Sequence, residues 1–244
     1  MAQEYYAIDI PGKSLYDKQF NISVRKITPL EQKYIISLFS KEQRTNNDFI
    51  AFVKKLVRID NPEVQFEDLY WFDVQYILYR IRFATYSKYP VKFTSTCSNE
   101  ECGEKITHDL KIEELKIYTP EDIEDLKKTI TLENLGELEI RQKIMKDDLV
   151  IDEFIESHKI DPEDLQMRML LLDLCLISKN KSLNELYQYA NDGTISAEDI
   201  LEIERWFAKT IWGVKEEIVM KCPKCGKEEV LSYSLALEDF FSAF

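Results

Sequence analysis

The chain has 244 residues, 45% of them hydrophobic and 12% aromatic, which is enough for a sizeable core and too apolar for a disordered protein. Its 45 acidic and 32 basic residues leave a net charge of -13, which repels a phosphate backbone unless the cations gather on one face. They do not gather: Lys221, Lys224 and Lys227 are flanked by Glu216, Glu217, Glu228 and Glu229, so free nucleic acid is not an expected partner.

The first residues carry neither a positive n-region nor an apolar h-region, so no secretory signal is expected. Six glycines and seven prolines leave no flexible linker, and there is no repeat of fixed period. Phe20 to Arg25 alternates apolar and polar residues, as a half-buried strand does. Thr28, Pro29 and Glu31 then open a helix that carries Tyr34, Ile35, Leu38 and Phe39. A second helix is predicted over Asp48 to Ile59, with Phe49, Phe52, Val53 and Leu56 on one face and Pro62 as its stop. The strongest helical signal runs from Glu67 to Tyr86, where Leu69, Phe72, Tyr76, Tyr79, Ile81 and Phe83 leave little polar circumference. It is expected at the centre of the core.

From Val91 the pattern changes to a strand, a Cys-x4-Cys-Gly turn, and a second strand through Ile106, His108 and Leu110. Further on, Pro120 to Lys128 reads as a short acidic helix and Glu137 to Arg141 as a strand. Pro162 to Ser178 reads as a buried helix capped by Asp161. Its most apolar part, Met169 to Ile177, is interrupted by Asp173 and falls well short of the ~20 residues that cross a bilayer. Two capping boxes follow, Ser182 with Glu185 and Ser196 with Asp199. The last helix runs through Ile203, Phe207 and Ile211 to a C-terminal cap at Gly213. Strands from Ile218 to Lys221 and Val230 to Ser234 bracket Cys222 and Cys225, and the chain ends on Leu235, Leu237, Phe240, Phe241 and Phe244. The fold class is thus α+β: a mainly helical core with a two-hairpin zinc ribbon formed by distant segments. Residues 1–90 form the strand and helical part, 91–117 the first hairpin, 118–213 a helical insertion, and 214–244 the second hairpin and apolar tail, in one compact unit.

Five cysteines are present, and four of them form two close pairs. Without a signal peptide, such pairs favour metal over disulfides. Cys97, Cys102, Cys222 and Cys225 supply the four ligands of a tetrahedral structural zinc, and Gly103 and Gly226 let each turn close behind its second cysteine. A redox pair at 222 and 225 would begin a helix, whereas strand-like sequence follows here. The x4 spacing is looser than usual and makes Cys97 the least secure ligand. Cys175, among leucines, is read as a buried hydrophobe. His108 and His158 are read as ordinary hydrogen-bonded residues, and the acidic run Glu121 to Asp125 as a solvated face. No phosphate loop, nucleophile elbow or HExxH motif occurs, so an enzyme is not expected.

The order of these signals resembles the T4-like bacteriophage baseplate proteins, which include a baseplate hub component and a hub-assembly factor. The matching pieces begin with the Ile27 to Leu30 helix entry and the Leu69 to Arg82 segment with Asp73, Ile81 and Arg82. The first knuckle, the Glu137 to Arg141 strand, the Val219 to Gly226 knuckle and the terminal Phe240 and Phe241 follow in order. The resemblance implies a non-enzymatic structural protein or assembly chaperone of a contractile tail, in the virion baseplate or in the host cytoplasm during assembly. Its partners would be other hub or tail proteins, not nucleic acid or membrane. Phe240, Phe241 and Phe244, gathered on a short helix from Leu237, are the expected anchors for a neighbouring tail protein; the alternative is that this tail folds back on its own domain. The rival function is a zinc-ribbon module of transcription or RNA processing, which would expose basic and aromatic residues for nucleic acid.

Overall fold

The structure, a computed structural model, describes residues 4–39, 46–124, 126, 129–177, 181–235, 240 and 241. Among them it is α+β, with two buried hydrophobic clusters.

The first cluster starts with β1 (Tyr5–Ile8) and β2 (Ile22–Arg25), which pair antiparallel, followed by α1 (Pro29–Phe39) and α2 (Asn46–Lys54). The predicted box closes α1: Thr28 N donates to Glu31 Oε2 at 2.9 Å, and Glu31 N donates to Thr28 Oγ1 at 3.3 Å. The Arg25 guanidinium donates twice to the same carboxylate, at 2.6 and 2.9 Å, and with the Thr28 amide holds it down to about 2. The predicted second helix stops early. It ends at Lys54, and β3 (Val57–Ile59) pairs with β2 instead, because Val57 and Ile59 alternate with Arg58 and meet Val24 and Ile22.

The central helix is α3 (Trp71–Thr85), four residues shorter at its start than predicted, because Phe66–Asp68 forms a 3-10 turn and Tyr70 is extended. Asp73, fully buried on α3, accepts from Gly12 N and from the Tyr16 hydroxyl, both at 2.7 Å, and burial pushes its carboxyl up to about 6. The Tyr16 oxygen in turn accepts from Tyr70 N at 2.9 Å, so one acid moors the N-terminal loop to the start of the helix. A Cβ on Gly12 would lie 2.6 Å from Asp73 Oδ2 and 2.7 Å from Trp212 Nε1.

Next come the hairpin β4 (Val91–Thr96) with β5 (Lys105–Leu110), and then β6 (Lys116–Tyr118). The predicted acidic helix over 120–128 is only a 3-10 turn, Pro120–Asp122; residues 125, 127 and 128 lie outside the described set. The second cluster comprises β7 (Thr129–Leu132), β8 (Gly136–Glu139), α4 (Met145–His158), α5 (Leu165–Leu176), α6 (Leu183–Asn191) and α7 (Ala197–Lys209). Ser182 and Ser196 cap α6 and α7 as predicted, but Asp164, not Asp161, caps α5.

The start of α4 repeats that of α1. Arg141 donates to both Asp147 oxygens at 2.7 and 2.8 Å, Asp147 accepts from Ile144 N at 2.9 Å, and Arg141 N donates to Leu176 O, as Arg25 N does to Leu56 O. Each arginine thus pins an N-terminal helix acid six positions on and ties its own backbone to a carbonyl far along the chain.

Gly213 does not cap α7. The helix ends at Lys209, and Thr210 N closes it on Trp206 O at 3.1 Å. Trp212 then buries itself against Tyr70 and Phe72, each 5.1 Å away, and Gly213 begins β9 (Gly213–Lys215), which pairs with β6. Its φ of +91° and the Phe72 carbonyl 3.1 Å from where a Cβ would stand explain the glycine. The chain returns through β10 (Glu217–Lys221) and β11 (Glu228–Ser232), antiparallel to each other.

Phe240 and Phe241 are buried in the first cluster. Phe241 packs against Phe39, Phe49 and Phe52 at 6.0, 6.4 and 5.5 Å, its carbonyl accepts from the Tyr86 hydroxyl at 2.7 Å, and Phe240 meets Tyr79 edge-on at 4.9 Å. These two rings therefore complete the chain's own core, which corrects the expectation that they face a partner. Phe244 and the helix expected from Leu237 lie outside the described residues.

Two substitutions test this packing. Phe241→Ala should cost about 3–5 kcal/mol in chemical denaturation, as removal of a fully buried phenylalanine does. Gly12→Ala, whose added methyl group meets Asp73 and Trp212, should also lower the midpoint; an unchanged midpoint would contradict the Asp73 mooring.

Candidate metal centre

Each hairpin ends in a turn that presents its sulfurs inward. In the first, Cys97 N donates to Glu104 O at 2.9 Å, and the amides of Cys102 and Gly103 both point at Asn99 O, at 2.8 and 3.2 Å. Asn99 also accepts from Glu101 N through its side chain at 3.2 Å, so the longer Cys-x4-Cys spacing accommodates a turn built on Asn99. In the second, Cys222 N donates to Lys227 O at 2.8 Å and Gly226 N to Cys222 O at 3.0 Å. Gly103 and Gly226 take φ values of +56° and +75°, a left-handed turn that suits glycine.

The four sulfurs of Cys97, Cys102, Cys222 and Cys225 lie within 4.8 Å of one another. Cys97 is 3.5 Å from Cys225, and Cys102 is 3.7 Å from Cys222. Metal–thiolate bonds of ~2.3 Å in a tetrahedron place the sulfurs about 3.8 Å apart, so the residues present can hold one metal ion between the hairpins. Cys97 and Cys222 are buried, Cys102 is half-buried and Cys225 is exposed, so one side of the quartet faces the core and one faces water.

The electrostatics are uneven. The Lys227 amide aimed at its sulfur holds Cys225 down to about 7. At Cys97 the Asn99 amide favours the thiolate, but burial and the neighbouring sulfurs outweigh it and push the thiol up to about 12. Four thiolates this close repel one another, so full deprotonation requires a cation among them. Two further contacts cross between the turns: Glu229 Oε1 accepts from Ser98 N at 2.8 Å, and Lys227 Nζ donates to Ser98 Oγ at 2.6 Å. Sequence spacing missed these because it treats Lys227 and Glu229 as opposed charges on one hairpin. Glu216, read from sequence as a flank of these lysines, accepts from Gln75 and the Tyr79 hydroxyl, at 3.1 and 2.8 Å.

The histidines lie elsewhere. His108 contacts Glu114 at 2.8 Å, and His158 stacks on Phe154 at 3.9 Å with Nδ1 3.0 Å from the Phe154 carbonyl. Cys175 is buried in the second cluster, where burial pushes its thiol up to about 12.

A family model described as T4 bacteriophage base plate protein matches residues 10–242. No curated protein and no solved structure matches the chain.

Cobalt(II) added to the reduced protein should bind once per chain with the sulfur-to-metal charge-transfer absorption of tetrahedral thiolate, and its affinity should fall as pH is lowered because protons compete for the sulfurs. Cys222→Ser should remove part of that absorption. An unchanged spectrum in that variant would place the ion elsewhere.

Proposed function

The chain belongs to the T4 bacteriophage base plate protein family, and from that premise we propose that it is a non-enzymatic structural or assembly protein of a contractile tail, acting at the baseplate hub. The observation that carries this reading is the family match from residue 10 to residue 242, nearly the whole chain. Other hub or tail proteins are the proposed partners, and the site of action is the virion baseplate, or the host cytoplasm while the tail assembles.

The metal proposed for the quartet is zinc in a structural role. All-sulfur donation suits it, and four thiolates leave no open position for water or substrate. Cys97 and Cys102 hold one half of its shell and Cys222 and Cys225 the other, so the two hairpins form a zinc ribbon whose binding energy is folding energy. Neither nucleic acid nor membrane is proposed as a partner. On the ribbon Lys221 faces Glu228 in register, and Lys215 is paired with Glu217 at 3.1 Å. No helix among the described residues is long and apolar enough to cross a membrane.

Elemental analysis of reductively purified protein should find one zinc per chain, and a strong chelator should lower the melting temperature sharply, since such sites supply on the order of 10 kcal/mol. Identical melting with and without chelator refutes the structural zinc. For the tail role, loss of the protein from infected cells should stop assembly before complete baseplates form. Detection of the protein in purified particles would identify a baseplate component, and its absence from them an assembly factor; normal, infectious particles made without it overturn both.

A further inference from the structure

Beside α7 lies a groove of about 1480 Å³, larger than the roughly 300–1,000 Å³ of small-molecule pockets. Thr129, Ile130 and Thr131 of β7 line it, and no residue of β8 does, so it runs along the edge of β7 that faces away from its strand partner. Among the described residues no strand pairs with that edge, and alternate amide and carbonyl groups along such an edge point outward, which makes it a template for another strand. Apolar side chains gather in the same groove: Tyr118, Leu201 and Ile211 line it and are between 39% and 48% exposed.

The charge of the lining selects among occupants. Asp122, Glu124, Glu198 and Glu202 line the groove against Arg205, Lys209 and Lys215, and Lys215 is already held by Glu217 at 3.1 Å. Glu198 suits the N-terminal dipole of α7. Glu202 lies beyond that first turn, four residues after Glu198 and three before Arg205, so with Lys215 taken the carboxylates of this face outnumber the cations left to meet them.

We propose that this groove docks an extended segment of another protein bearing lysine or arginine, which adds as a strand to the free edge of β7 and rests apolar side chains on Tyr118, Leu201 and Ile211. Main-chain pairing holds such a segment, and side-chain pockets and charge choose it. The inference stands apart from the zinc and from the hub assignment, because none of the four cysteines lines the groove and binding is read with purified protein.

The test uses the full chain and short synthetic peptides alternating valine with lysine, compared with peptides alternating valine with glutamate. The lysine peptide should bind and slow amide hydrogen exchange over 129–132, and Glu202→Lys and Leu201→Asp should each weaken binding by about tenfold. Both positions are exposed, so each variant should melt as the parent does, and Ile211→Asp replaces either one that does not. Equal binding of the glutamate peptide, no slowing over 129–132, or no binding at all overturns the proposal. So does protection of the same amides by dimerisation of the protein alone, which would assign the edge to a second copy.

Discussion

The first core is closed by two hairpins that meet although 120 positions separate Cys102 from Cys222. Their meeting sets β10 beside β5, in the same core that buries Phe240 and Phe241. Closing so long a loop costs entropy before any contact rewards it. A metal held by the four sulfurs would offset that cost, because its binding energy is absent from the open chain and fully present in the closed one. The Ser98 contacts with Glu229 and Lys227 add polar bonds at the same junction.

The chain enclosed by that loop has its own core, which uses the same local device as the first. Arg25 with Glu31 and Arg141 with Asp147 each join a strand end to the first turn of a helix through two charge-assisted hydrogen bonds. In each, a second bond from the arginine amide reaches a later carbonyl, Leu56 just after α2 or Leu176 at the end of α5. A planar, always-charged guanidinium suits both places, since it satisfies a carboxylate bidentately and does not lose its proton on partial burial. The cores are joined where Trp212 packs on Tyr70 and Phe72 beside Asp73, so the buried acid and the indole fix the N-terminal loop and the returning strand at one point.

This architecture moves the expected docking surface. An apolar C-terminus resembles a binding tail, yet two of its phenylalanines are already in use inside. The face with unspent capacity is instead the edge of β7 beside α7, where backbone groups, half-exposed apolar side chains and surplus carboxylates coincide. A chain that keeps Phe240 and Phe241 inside and leaves the β7 edge unpaired among the described residues can take up a neighbour there without unfolding any of itself.

Features carried by a few adjacent residues are legible in the sequence alone. The Thr28–Glu31 and Ser196–Asp199 boxes, the apolar circumference of α3 and the paired cysteines each express a local rule, a hydrogen bond three residues long or a ligand turn, and they occur where the sequence places them. The proximity of the two knuckles was also inferred, because a four-ligand shell needs both. What local rules could not decide was set by partners distant in sequence. Val57 to Ile59 leaves the helical pattern because β2 offers a ladder, Gly213 becomes a strand start because Phe72 crowds it, and Phe240 and Phe241 turn inward because Tyr79, Phe39 and Phe52 surround their places. In each case burial against a remote surface outweighed a propensity of a few tenths to about 1 kcal/mol per residue, and no window of neighbouring residues contains that surface.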